Sequence, residues 1–227
     1  MFCQNCGSSL DPGARFCAAC GSSQPLEIGP GLPVGAPAAQ PVLTGGQSDT
    51  ARWIGEGWDL VKDDLGTFVL MSIVMLVVNG AVPILLQGAT TAGFQAACKK
   101  KLRGVKPQIA DLFSGFEFFV PTLIAHIVIS ILIFIGSLFF IIPGIMAAAA
   151  FNFTFLFIID KRMDFETAMR ASHAVVKQDY FGYGMFIMAL FLLNVFGLVC
   201  LFVGLLVTIP ITLAAITVAY RDTVGFE

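Results

Sequence analysis

Three long stretches without a charged side chain constrain the fold of this chain more than any other feature. The longest covers residues 118–159, and the other two cover residues 65–98 and 181–220. A helix rises about 1.5 Å per residue, so the longest stretch would measure roughly 60 Å, twice the roughly 30 Å of bilayer hydrocarbon. Only 12% of the residues are charged, about half the share found in soluble domains. We therefore expect an all-α membrane protein.

Each stretch carries a signal that would turn the helix back. Pro143-Gly144 interrupts the longest stretch, and Asn79-Gly80 with Pro83 interrupts the first. The third stretch is expected to break between Gly197 and Gly204. The pattern predicts about six transmembrane helices in three hairpins. The predicted segments are about 66–79, 82–100, 120–141, 145–160, 181–200 and 204–220.

Four cysteines near the N-terminus have the spacing of a metal site. Cys3, Cys6, Cys17 and Cys20 form the pattern C-x2-C-x10-C-x2-C, and a glycine follows each pair. This pattern predicts a small zinc ribbon over residues 1–22, with four thiolates filling the coordination sphere of a structural Zn²⁺. The alternative is two disulfides in an exported segment. No signal peptide is apparent, and cytosolic thiols stay reduced, so zinc is the expectation.

The predicted ribbon has too few cations for a nucleic-acid site. Arg15 is the only base and Asp11 the only acid within residues 1–22, whereas neutralising phosphates takes several cations. We expect no nucleic acid partner. Docking to a protein fits better, and a purely structural role is the other interpretation.

A proline- and glycine-rich segment joins the ribbon to the apolar part of the chain. Residues 23–50 contain five prolines and five glycines without a helical period. This composition predicts a disordered tether between the ribbon and a helical membrane domain over residues 51–227.

Cations cluster between the uncharged stretches and form a predicted basic collar. Positive charge favours the cytosolic side, and the reduced thiols place the N-terminus there as well, so both termini are expected in the cytosol. The collar either only fixes orientation or also binds anionic phospholipid of the bilayer. Its members are Lys99, Lys100, Lys101, Arg103, Lys106, Lys161, Arg162, Arg170 and Lys177.

Amphipathic segments flank the uncharged stretches. Residues 51–64 predict an interfacial helix that seats Trp53 and Trp58 at the headgroups, or else the first turn of the next membrane helix. Residues 107–117 are a second candidate of the same kind. Residues 164–177 predict an amphipathic helix capped by Asp164, with Glu166 and Arg170 paired at i, i+4.

Polar residues inside the predicted spans are few. His126 is the intramembrane polar candidate for a role, while Asn152 and Asn194 are expected to form hydrogen bonds between helices. The sequence lacks the common hydrolase and nucleotide-binding motifs, so an enzyme is not expected.

Several short segments resemble a known group of proteins. The segments are IIPGI (141–145), FLFIID (155–160), ETAMRASHAVVK (166–177), VTIPI (207–211) and AYRD (219–222). They resemble uncharacterised bacterial polytopic membrane proteins, which are similar to the membrane domain of some glycerophosphoryl diester phosphodiesterases. FCQNCG and FCAACG resemble the zinc ribbons often fused to such proteins. The resemblance implies a bacterial inner-membrane protein; the phosphodiesterase catalytic domain is absent, so its activity is not implied.

Two functional hypotheses follow. The first is a membrane protein that displays a cytosolic zinc ribbon for protein interaction or regulation. The second is a lipid-handling or transport protein of the inner membrane.

Overall fold

The computed structural model describes residues 48–82, 85–139, 141–200 and 203–226 of the chain. The chain divides into two units, Met1–Gln40 and Pro41–Glu227. The predicted ribbon and nearly all of the predicted tether lie outside the described residues.

All secondary structure in the described residues is helical. The α-helices are α1 Thr50–Lys62, α2 Leu65–Ala81, α3 Gln87–Leu102, α4 Phe119–Phe139, α5 Ile141–Ala150, α6 Thr154–Lys161, α7 Phe165–Val176, α8 Tyr180–Val199 and α9 Leu205–Thr223. Two 3₁₀ segments, Ile109–Phe118 and Lys177–Asp179, lead into α4 and α8.

Four stretches of helix are long and apolar enough to cross a membrane, judged on the described residues alone. They are Ile109–Leu138, Ile142–Lys161, Phe165–Val199 and Leu205–Thr223, and Leu65–Gly80 is a shorter apolar helix. This supports a membrane-embedded, all-helical domain. The count of six crossings stays a prediction.

Helix α3 differs from the predicted transmembrane segment over residues 82–100. It begins at Gln87, and most of its residues are buried against the first 3₁₀ segment, α4, α6 and α9. A Cβ atom at Gly93 would lie only 1.9 Å from the Leu112 carbonyl oxygen, so the two backbones touch. The small and polar residues of α3 therefore serve close packing inside the domain and do not face lipid.

The break in the central stretch lies earlier than predicted. Helix α5 begins at Ile141, so Pro143-Gly144 belongs to its first turn and is not the turn between two helices. Proline is tolerated there because an amide at this position has no partner within the helix. The predicted helix over 145–160 is itself divided, since a turn at residues 151–153 separates α5 from α6.

The break in the third stretch is confirmed. Helix α8 ends at Val199 and α9 begins at Leu205, with Pro210 inside α9. The two helices pack against each other near this turn, where a Cβ atom at Gly204 would lie 2.4 Å from the Gly197 carbonyl oxygen.

Helix α1 forms over the residues where a first helix was predicted, but its surroundings differ from the prediction. Asp49 accepts a hydrogen bond from the Arg52 amide at 3.0 Å and caps α1, so the last residues of the predicted tether already belong to the start of this helix. Trp53 is not a headgroup anchor: it is 2% exposed and packs on Tyr183 and Phe186, with ring centroids 5.8 and 5.1 Å away. The helix packs on α9 and α8, so its apolar side faces protein.

The second predicted interfacial segment is a 3₁₀ helix. Leu112 is buried beneath it, while Ile109 and Phe113 are exposed. The apolar side chains of this segment therefore do not share one buried side.

Candidate functional site

Ion pairs join the ends of helices that are far apart in the sequence. The Lys101 ammonium pairs with Asp64 at the start of α2, and Lys99 pairs with Asp160 near the end of α6. Lys100 pairs with Asp111 of the first 3₁₀ segment. We call these six residues, with Tyr220, the charged network. It brings together the start of α2 and the ends of α3, α6 and α9.

Asp160 is the buried centre of the charged network. Its side chain is fully buried, and its two oxygens accept hydrogen bonds from the Lys99 ammonium and, at 3.1 Å, from the Tyr220 hydroxyl. The ring of Phe226 lies 5.6 Å from the Lys99 nitrogen, a cation–π contact. A carboxylate in this position is stabilised only while both partners are present.

The network changes the interpretation of the basic collar. The structure pairs Lys99, Lys100 and Lys101 with carboxylates of the same chain, and Arg162 lies 3.5 Å from Glu117. These acids were missed by the sequence reasoning. The available signal was their position, because Asp64, Glu117 and Asp160 each stand at the edge of an uncharged stretch.

The remaining collar cations lie at the surface or near the C-terminus. The Arg103 guanidinium stacks over the Phe226 ring at 5.7 Å. Arg170 pairs with Glu166, Lys106 and Lys177 are exposed, and Lys161 is half-buried. The nine cations are thus distributed between internal ion pairs and separate surface positions.

A second group of charges fixes the entry of the chain into the helical domain. Arg52 and the indole N–H of Trp53 both donate to Asp222 near the end of α9, the latter at 3.1 Å. The Arg221 guanidinium donates to Glu56 of α1 at 2.7 Å. Before α1, the Ser48 hydroxyl donates to Asp179 at the start of α8 at 2.5 Å.

Helix α7 forms as predicted. Asp164 accepts from the Thr167 amide at 3.2 Å and caps the helix, and Glu166 pairs with Arg170 one turn later. Its buried side is held by Ser172, whose hydroxyl donates to the Ala150 carbonyl at 2.9 Å and accepts from the Phe153 amide at 3.2 Å. This serine therefore bonds to the irregular turn between α5 and α6, where backbone groups lack helical partners.

An open groove of about 450 Å³ lies beside α7. Its lining is mainly apolar, with three polar side chains on α7. The lining residues are Val128, Phe151, Phe165, Glu166, Met169, Arg170 and His173.

The intramembrane polar residues are placed as follows. His126 on α4 is half-buried, with Nε2 3.5 Å from the Ser130 hydroxyl and its ring 6.5 Å from that of Phe155. The Asn194 amide donates at 2.7 Å to Thr212, which joins α8 to α9 as expected. Asn152 lies in the turn before α6. A role for His126 stays a prediction.

The predicted zinc ligands Cys3, Cys6, Cys17 and Cys20 lie outside the described residues. Among the residues that the structure describes, no group of three or more His, Cys, Asp or Glu side chains could hold a metal ion. The donor set of the N-terminal segment fits zinc, because four thiolates in two C-x2-C pairs match its tetrahedral preference.

Comparison with known protein families gives a match at the N-terminus. Residues 2–24 match the family model of the zinc-ribbon domain. The matched segment contains all four of these cysteines. No curated protein and no solved structure matches the chain. Zinc-ribbon domains typically bind zinc. The predicted ribbon is thus confirmed as a zinc-ribbon domain, while the resemblance of the apolar helices to the membrane domain of the phosphodiesterases stays a prediction.

Proposed function

We propose that this protein is a membrane anchor that presents its N-terminal zinc ribbon to a protein partner. The carrying observation is the way the chain enters the helical domain. Ser48 is bonded to Asp179, and α1 is fixed to the end of α9 through Arg52 and Asp222. The chain therefore enters the helical domain on the side that carries the charged side chains.

Zinc would be held by Cys3, Cys6, Cys17 and Cys20. Four protein ligands leave no open position for a substrate, so its contribution is to fold the ribbon. Arg15 is the only cation among residues 1–22, which favours a protein partner over nucleic acid.

The charged side is proposed to face the cytosol of a bacterium, at the inner membrane. Reduced thiols are needed for the zinc ligands, and cations beside apolar helices are typical of the cytosolic side. In this orientation the ribbon and both ends of the chain share one compartment.

The test replaces Cys3 and Cys6 with serine in the full-length chain. We expect the zinc content to fall from about one ion per chain to nearly none, while the protein stays in the membrane fraction. A protein partner that crosslinks to the parent chain and co-purifies with it should no longer be captured by the double variant. Cys200→Ser is the matched control, because Cys200 is an exposed free cysteine of the helical domain.

Co-purification of the same partner with the double variant and with Cys200→Ser would refute the proposal. Loss of the double variant from the membrane would also contradict it, because anchoring is assigned to the helical domain alone.

A further inference from the structure

The groove beside α7 has a lining that separates apolar from charged groups. Val128 of α4, Phe151 of the turn before α6, and Phe165 and Met169 of α7 supply the apolar surface. Glu166, Arg170 and His173 stand on the exposed side of α7. At about 450 Å³ the groove falls within the range of about 300–1,000 Å³ that is typical of small-molecule sites.

The position of the groove favours a lipid chain over a water-soluble ligand. Its walls come from three of the stretches that are long and apolar enough to cross a membrane. The Ser172 hydrogen bonds hold α7 against the turn at residues 151–153, so the groove is part of the packed structure. An acyl chain that lies along these side chains would bury apolar surface of the chain and of the groove.

The charges beside the groove select the headgroup. Glu166 and Arg170 pair with each other, and their side chains are 59% and 80% exposed. The His173 ring shares a hydrogen bond with the Tyr180 hydroxyl and stacks on Phe151. A phosphate bound to the Arg170 guanidinium would also lie near the Glu166 carboxylate, which repels it. A ligand that carries its own cation beside the phosphate would offset this repulsion.

We propose that this groove binds a zwitterionic phospholipid of the phosphatidylethanolamine type. The phosphate pairs with Arg170, the ammonium pairs with Glu166, and one acyl chain lies on Val128, Phe151 and Met169. The site is independent of the zinc ribbon. It also differs from recognition of anionic lipid by the collar as a whole, because the collar cation at the groove, Arg170, stands beside the Glu166 carboxylate, which favours a headgroup that carries both charges.

The experiment uses the full-length protein in vesicles of equal parts phosphatidylethanolamine and phosphatidylglycerol. Each lipid carries a photoreactive group in its acyl chain, and crosslinked peptides are identified by mass spectrometry. We expect phosphatidylethanolamine to label the peptides that contain residues 128, 151 and 165–173, in preference to phosphatidylglycerol.

Two variants and one control test the assignment. Met169→Trp fills the groove and should abolish labelling of these peptides. Glu166→Gln removes the partner of the ammonium and should reduce the preference for phosphatidylethanolamine roughly two- to fivefold. Asp59→Asn alters an exposed ion pair with Lys62 on α1, away from the groove, and should change neither result.

A preference for phosphatidylglycerol, or a preference that Glu166→Gln leaves intact, would overturn the headgroup assignment. Labelling of the same peptides in Met169→Trp would overturn the groove itself. Glu166 is exposed, so its variant tests the proposal even if Met169→Trp does not fold.

Discussion

The charged network and the uncharged ends of α4 and α8 show opposite arrangements of large and apolar side chains. Around the network, large side chains such as Phe157 and Tyr220 are buried, and the charged groups are paired with one another. At the uncharged ends of α4 and α8, large apolar side chains lie on the surface of the domain: Leu138 and Val199 are each 74% exposed. The helices touch there through Gly197 and Gly204. One region is built as in a water-soluble protein, and the other as in a protein surrounded by lipid.

The strongest test of this contrast is Asp160→Ala. It removes the buried carboxylate that pairs with the Lys99 ammonium, so the free energy of unfolding should fall by about 3–5 kcal/mol. Thermal unfolding in detergent, followed by circular dichroism, measures the loss.

Glu166→Ala is the matched control, since it removes the exposed pair with Arg170 and should cost about 0.3–0.5 kcal/mol. Equal losses for the two variants would show that Asp160 is not a buried centre.

Truncation of one leucine on each side of the contrast should give very different results. Leu156→Ala in α6 opens a cavity at a fully buried position and should cost about 2–5 kcal/mol. Leu138→Ala near the end of α4 removes an exposed side chain and should stay within about 0.5 kcal/mol of the parent in the same detergent assay. A larger loss at Leu138 would mean that protein, not lipid, covers that position.

The contact between α8 and α9 is tested by Gly204→Ala. The added Cβ atom would lie 2.4 Å from the Gly197 carbonyl oxygen, so the helices must separate, at a cost of about 1–3 kcal/mol. Gly80→Ala in α2 is the same substitution beside a turn with nothing within 4 Å of the new atom. It should not lower the melting temperature, because alanine favours helix over glycine. Similar melting temperatures for the two variants would contradict the close contact.

The smallest effect is expected from Asp164→Ala at the start of α7. Loss of the cap should cost about 1 kcal/mol, and Asp164→Ser should restore most of it. Hydrogen bonds from the side chain and backbone of Thr167 lower the pKa of the Asp164 carboxyl. The contribution of its charged form is therefore present above the ordinary pKa of about 4 and is lost as the pH falls through the lowered value.

Unfolding of the parent and of Asp164→Ala, compared at neutral and strongly acidic pH, checks this. A gap between the two proteins that does not narrow in acid would rule out a contribution from the charged carboxyl.

Helix α7 was predictable in detail because its signals are local: a capping aspartate, an apolar stripe and an ion pair one turn apart. The turn between α8 and α9 was also predictable from a local signal, the two glycines Gly197 and Gly204. The burial of α3 was not, because a run of Gly, Ala, Thr and Gln gives no direction, and its surroundings come from the first 3₁₀ segment, α6 and α9. The partners of Lys99 and Lys101 were missed because pairing across 61 and 37 positions depends on tertiary structure.

The absence of charge from the turns has a consequence for how the protein is made. Every lysine, arginine, aspartate and glutamate of residues 48–226 lies outside the stretches 65–98, 118–159 and 181–220. Each charged side chain that must pass the bilayer centre costs about 2.5–3.5 kcal/mol during insertion. With the predicted three hairpins, each apolar stretch would enter the membrane and return, and its charged flanks would stay on one side. In that topology, insertion of the domain would need no translocation of charged residues.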